Sequence, residues 1–153
     1  MANTQAMTTS FKGELLTATH NFGTAPTRGT STADTFKAAL YLASATMNAS
    51  TTAYTVTGEV SGTNYSPGGV TVTNATAPTT SGTTAYWTPS ASITYTNVTL
   101  TTAFDAVLIY NSTQSDKAVS VHTFTAQTVT SGTFTLTMPS NTTSTALLRL
   151  VTT

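Results

Sequence analysis

Five carboxylates and two imidazoles make up the conventional acid–base equipment of this chain: Glu14, Asp34, Glu59, Asp105 and Asp116, with His20 and His122. General acid–base catalysis wants two carboxylates brought together, or a carboxylate set against a histidine. Here each acid falls in a different segment. A zinc site needs three or four ligands, and two histidines about a hundred residues apart with no cysteine do not supply them. No G-x-S-x-G elbow accompanies the many serines. No catalytic, cofactor-binding or metal-ligating residue is therefore expected, and no cofactor. Glu59 is the acid of most interest, its expected role being to accept backbone N–H groups in its own loop. Asp105 is expected to face water at a strand start, and His122 to be a surface or half-buried strand histidine.

Glu59 belongs to the stretch TGEVSGTNYSPGGVTVTN, Thr57 to Asn74, whose glycines raise the question of a ligand cradle. A phosphate loop of the Walker type ends in Gly-Lys-Ser/Thr and runs into a helix. Gly68-Gly69-Val70-Thr71 has no lysine and runs into alternating Val and Thr. In Ser66-Pro67-Gly68-Gly69, proline presets the first corner and glycine takes positive φ at the next, which is turn chemistry. The stretch reads as a bend between strands.

The elements that must hold these residues are strands. Phe36, Ala38, Leu40 and Leu42 alternate with Lys37 and Tyr41, a period of two. Gly68–Asn74 and Thr83–Pro89 repeat that alternation, and Ser92–Leu100 and Phe104–Asn111 follow. The run Ala106–Ile109 is apolar on both faces and reads as the most buried strand. Ala118–Phe124, Gly132–Met138 and Ala146–Thr152 complete the set, with turn residues between them. Ser10–Leu16 reads as a short strand or irregular arm, a turn of helix is possible around Asn48–Val56, and Ala18–Asp34, with Gly23, Pro26 and Gly29, reads as loop. The expected architecture is all-β: a single antiparallel β-sandwich or barrel-like domain of about eight strands over residues 34–153, preceded by an extended N-terminal arm over residues 1–33. At 153 residues such a domain can bury roughly 70 % of its unfolded surface without a disulfide or metal.

Composition narrows the function classes. Charged residues are 7 % of the chain, against about 25 % in ordinary soluble domains. Lys12, Arg28, Lys37, Lys117 and Arg149 are scattered singly, so the clustered cations of a nucleic-acid binder are missing. Threonine, at roughly a quarter of the chain, takes the place of charge, and its branched Cβ suits extended backbone. Six Phe, six Tyr and one Trp among regularly placed Val, Leu and Ile argue for a packed core over disorder. The start, MANTQAMTTSFKGELL, lacks the pattern of a secretory signal, and no apolar run reaches the length of a membrane span. Neither nucleic acid nor membrane is an expected partner.

Two surface readings remain. Tyr86, Trp87 and Tyr95 could line a carbohydrate-binding face, or else serve as core and rim. Asn48, Asn64, Asn74, Asn97, Asn111 and Asn141 open Asn-x-Ser/Thr sequons, which arise cheaply in a chain so rich in hydroxyls, and glycosylation is not expected.

In order and spacing, DTFKAALY (Asp34–Tyr41), STTAYTVTGEVSG with YSPGG (Ser50–Gly69), AVLIYN (Ala106–Asn111), SDKAVSVHTF (Ser115–Phe124) and GTFTLTMP (Gly132–Pro139) resemble a family of small tailed-bacteriophage virion proteins. The similarity runs over roughly residues 10–151. It implies a structural role without enzymatic activity, most often capsid decoration or cement: binding to the major capsid protein on the virion surface, copies associating with one another, a trimer being one arrangement, after synthesis in the bacterial host cytoplasm. The alternative is a tail or head fibre, or adhesin, binding host-surface glycans through the aromatic trio. A glycan hydrolase using Glu59 or Asp105 is the least favoured reading.

Overall fold

The computed structural model describes residues 2–16, 19–22, 33–73 and 77–151. In chain order the elements are β1 (Ala6–Met7), α1 (Thr9–Leu16), β2 (Phe36–Leu42), β3 (Val70–Thr71), β4 (Thr79–Ser81), β5 (Thr84–Trp87), β6 (Ile93–Asn111), β7 (Lys117–Leu136) and β8 (Leu148–Val151). They build two antiparallel sheets, one ordered β1-β7-β6-β2-β3 and the other β4-β5-β8. The eight strands among the described residues match the all-β expectation.

A single long hairpin is the spine of the larger sheet. The stretches 92–100 and 104–111, expected as two strands, are one strand of 19 residues, and 118–124 with 132–138 join into a second of 20. The intervening Thr101-Thr102-Ala103 is no break, because register shifts between Leu100 and Phe104 and at four other places absorb the mismatch and bend both strands. The polar turn 112–116 closes the hairpin, with Ser115 and Asp116 at φ 54 and 58, a left-handed conformation that Asp tolerates.

Alternation then decides the layers. From β2, Phe36, Ala38 and Leu40 face one side with Val107 and Ile109 of β6, where Trp87 of β5, Leu148 of β8 and Phe11 of α1 cover them. Ala39 and Tyr41 face the other side with Ala106, Leu108 and Tyr110, covered by Ala45, Met47 and Tyr54. Ala106 to Ile109 are therefore sealed on both faces, as their unbroken apolar run predicts. Each such Leu or Ile contributes about 1.5–3 kcal/mol by leaving water.

Part of the leading segment is built into the domain. β1 pairs Ala6 with Val121 and Met7 with Ser120 on the edge of β7. Ser10–Leu16 is helical, contrary to the extended backbone expected there. The cap is Thr8: its Oγ1 accepts the Phe11 N–H at 3.3 Å, and its carbonyl accepts from Lys12. Phe11 and Leu15, four apart, then lie on one helical face toward the core. The stretch Asn48–Val56 forms turns instead of a helix, Thr51 N–H donating to Asn48 O and Ala53 bridging Lys117. Met47 and Tyr54 do pack inward there, Tyr54 stacking on Tyr110 with ring centroids 4.8 Å apart. Gly23, Pro26 and Gly29 lie outside the described residues.

Candidate functional site

Glu59 is surrounded by donors. Its Oε1 accepts from Tyr65 Oη at 2.7 Å and from the Gly68 N–H at 2.8 Å, and its Oε2 accepts from Tyr54 Oη at 2.6 Å. Tyr65 Oη in turn accepts the Leu40 N–H at 3.0 Å, and Tyr110 Oη donates to Gly68 O at 2.8 Å. Burial, followed by the facing carboxylate, pushes the Tyr54 and Tyr65 phenols well above the ordinary tyrosine range. The acid thus pins the 54–69 loop to β2, the role expected from sequence, with two tyrosines added to the backbone donor.

The glycines of the opening stretch serve close approach. A Cβ on Gly62 would lie 2.0 Å from Thr99 O, and one on Gly69 would lie 1.7 Å from Ala38 O. Gly68 and Gly69 have φ of 86 and 71, and the Gly69 N–H closes the turn onto Ser66 O. The chain passes against two strands with no room left for a ligand between them.

A second cluster gathers residues that are remote in sequence. His20 Nε2 is 2.7 Å from Glu14 Oε2, and Lys117 Nζ is 2.7 Å from Glu14 Oε1. His20 Nδ1 is 3.0 Å from Asn111 Nδ2, which also donates to Asp34 Oδ2 at 2.7 Å. Asp34 Oδ2 accepts the Asn21 N–H as well, and the Asp34 N–H returns a bond to Asn21 O. The His20 side chain is fully buried against Phe11, whose ring centroid is 4.9 Å away. Burial lowers its pKa and prevails over the raising pull of Glu14 and Asp34. Burial raises Glu14, but the bonds from Lys117 and His20 prevail and hold it below the ordinary carboxylate range. Glu14, Asp34 and His20, read as separate, are thus brought together by the ends of β6 and β7. Among the described residues no group of three or more His, Cys, Asp or Glu is arranged to hold a metal.

The remaining candidates are dispersed. Asp105 accepts from Asn3 Nδ2, whose Oδ1 accepts the Met47 N–H at 2.8 Å, so this acid ties down the N-terminus instead of facing open water. Arg149 donates to Thr143 O. His122 is half-buried beside Ser120 Oγ at 2.9 Å, and burial brings its pKa down to about 4. The aromatic trio makes no platform. Trp87 is wedged against Phe22 with centroids 4.8 Å apart, and Tyr95, 2 % exposed, donates to Ala38 O at 2.7 Å, leaving Tyr86 alone half-buried. Of the sequon asparagines, Asn111 is buried, while Asn64 and Asn97 occupy left-handed turn positions.

Two features of the surface went unread in the sequence. An apolar groove of about 100 Å³ lies between α1 and the smaller sheet, lined by Met7, Phe11, Leu15, Phe22, Trp87 and Leu150 among others. The outer edge of β7 is the other. β1 covers it only at Ser120 and Val121, so from Thr123 to Leu136 it has no strand partner among the described residues. No Lys, Arg, Asp or Glu occurs between Lys117 and Arg149. Comparison of the chain with protein-family models, with curated proteins and with solved structures finds no match.

Proposed function

We infer that this protein is a structural component of a bacteriophage virion, a capsid decoration or cement protein that binds the outer surface of the major capsid protein lattice and stabilises the head without performing chemistry. The observation that carries the reading is the uncovered edge of β7. Strand edges open to water are usually guarded by Lys, Pro or a covering element, and Thr123–Leu136 carries none of the first two. Such an edge offers main-chain donors and acceptors to a neighbouring chain, and hydroxyl side chains with no net charge permit copies to pack closely without mutual repulsion. On a symmetric shell each contact needs only modest affinity, because many are made together.

The resemblance of the quoted segments to small virion proteins supports the same reading. The engagement of Glu59 and Asp105 in holding loops and the N-terminus to the sheet supports the absence of catalysis. The glycan-binding alternative loses the ring platform on which it rested, since Trp87 and Tyr95 are core. A pair of variants tests the role of the edge: Gln127→Lys and Thr130→Lys, both at exposed positions of β7, should fold normally and fail to join particles. Normal incorporation of both would count against the edge as the contact.

A further inference from the structure

We propose that His20 is the pin of an acid-released latch that holds α1 and residues 19–22 on the larger sheet. The geometry fixes the proton positions. Asn111 Oδ1 accepts the backbone N–H groups of Thr113 at 3.1 Å and Gln114 at 3.2 Å. Backbone nitrogens can only donate, so the amide of Asn111 has one permitted orientation, and its Nδ2 faces His20 and Asp34. One Nδ2 proton goes to Asp34 Oδ2 and the other to His20 Nδ1. His20 Nδ1 is therefore an acceptor, and the ring proton sits on Nε2, donated to Glu14 Oε2.

A second proton has nowhere to go in this arrangement. On Nδ1 it would point at the Asn111 amide group, donor against donor. Turning Asn111 over would relieve that contact and would strip the Thr113 and Gln114 N–H groups and Asp34 Oδ2 of their partner. The groups that face the ring are Glu14 from α1, Asp34 ahead of β2 and Lys117 at the start of β7. The two carboxylates favour the imidazolium, whereas Lys117 and burial among Phe11, Phe22 and Phe36 oppose it. The bonds lost are those that join residues 14, 20, 21 and 34 to the ends of β6 and β7. The main sheet itself does not depend on them, since β2, β6 and β7 pair directly. Acid thus frees α1 and its following residues first, and their departure uncovers Phe11 and Phe22, two walls of the apolar groove.

Residue-resolved hydrogen exchange on the full chain tests this, together with nitrogen NMR of the imidazole. The Nε2–H tautomer is expected near neutral pH. Between about pH 7.5 and about pH 5, protection of the α1 and Asn21 amides should fall by about tenfold for each unit below the free imidazole value, while Leu108 and Ile109 keep theirs. In His20→Phe the α1 amides should no longer respond to pH across that range. An Nδ1–H tautomer in the wild type, or loss of protection spread evenly over α1 and β6, would overturn the latch whether or not the variant folds. So would a pH response unchanged in His20→Phe.

Discussion

Gly69 lies so close to the backbone of Ala38 that a methyl group placed on it would meet the Ala38 carbonyl oxygen at 1.7 Å. That approach is what brings the turn of Ser66–Gly69 onto β2 and seats the Gly68 N–H on Glu59. Gly69→Ala must therefore push two strands apart at φ 71, with a loss of about 3 kcal/mol or more. Gly82→Ala is the control, also at positive φ but with nothing within 4 Å. It should cost only about 1 kcal/mol. Urea unfolding of the two variants checks the difference.

Removing the acid of the same loop has a graded outcome. Glu59→Ala leaves two partly buried tyrosine hydroxyls and one backbone N–H without their acceptor, and should cost about 3 kcal/mol. Tyr65→Phe removes one donor and leaves Glu59 with two others, so about 1 kcal/mol is expected. A larger loss in Tyr65→Phe than in Glu59→Ala would contradict the assignment of Glu59 as the hub.

Stability should decline on the acid side well before carboxylates titrate. Both histidines have folded-state values below the free 6.5, so the unfolded chain binds protons more readily and each stabilises the fold only above that value. For His122 the contribution is lost as pH falls from about 6.5 to about 4, amounting to about 2–3 kcal/mol. Glu14, held low, withdraws its share at still lower pH. At the other end burial, aided by Asp116 and Glu59, pushes Tyr110 up to about 12, so stability falls as pH rises through the free tyrosine value near 10. Denaturation midpoints across the pH range should trace both limbs, and His122→Gln should flatten the acid one.

The one tryptophan reports on the core. Trp87 is 2 % exposed between Phe22 and Phe36, so its emission should be that of an apolar site and should not move on adding soluble glycans. Trp87→Ala should cost about 3–5 kcal/mol. A glycan-induced shift of that emission would restore the aromatic face as a binding surface.

What sequence could show of this molecule follows from how local each signal is. The period of two in Phe36–Leu42 and the two-sided apolar run Ala106–Ile109 report a neighbour's position through the chain's own alternation, and both are where that pattern puts them. The helix at Thr9–Leu16 was missed because Ser10 was tested as its cap. The spacing of Thr8 three residues before Phe11, with Leu15 four further on, carries the signal. The hairpin was read as four strands because Thr101-Thr102-Ala103 resembles a turn, and only the register of the partner shows it to be a bulge. The gathering of Glu14, His20, Asp34, Asn111 and Lys117 is set by strand ends that meet across the sheet, and nothing local encodes it. The groove and the bare edge of β7 are likewise products of assembly between elements.

The account rests on this chain being a repeated part of a shell. Quantitative mass spectrometry of purified particles of the phage that encodes it, with the major capsid protein as internal standard, measures that directly. Copy numbers comparable to the major capsid protein are predicted. Absence from intact particles, or a few tens of copies confined to tails, would contradict the capsid role.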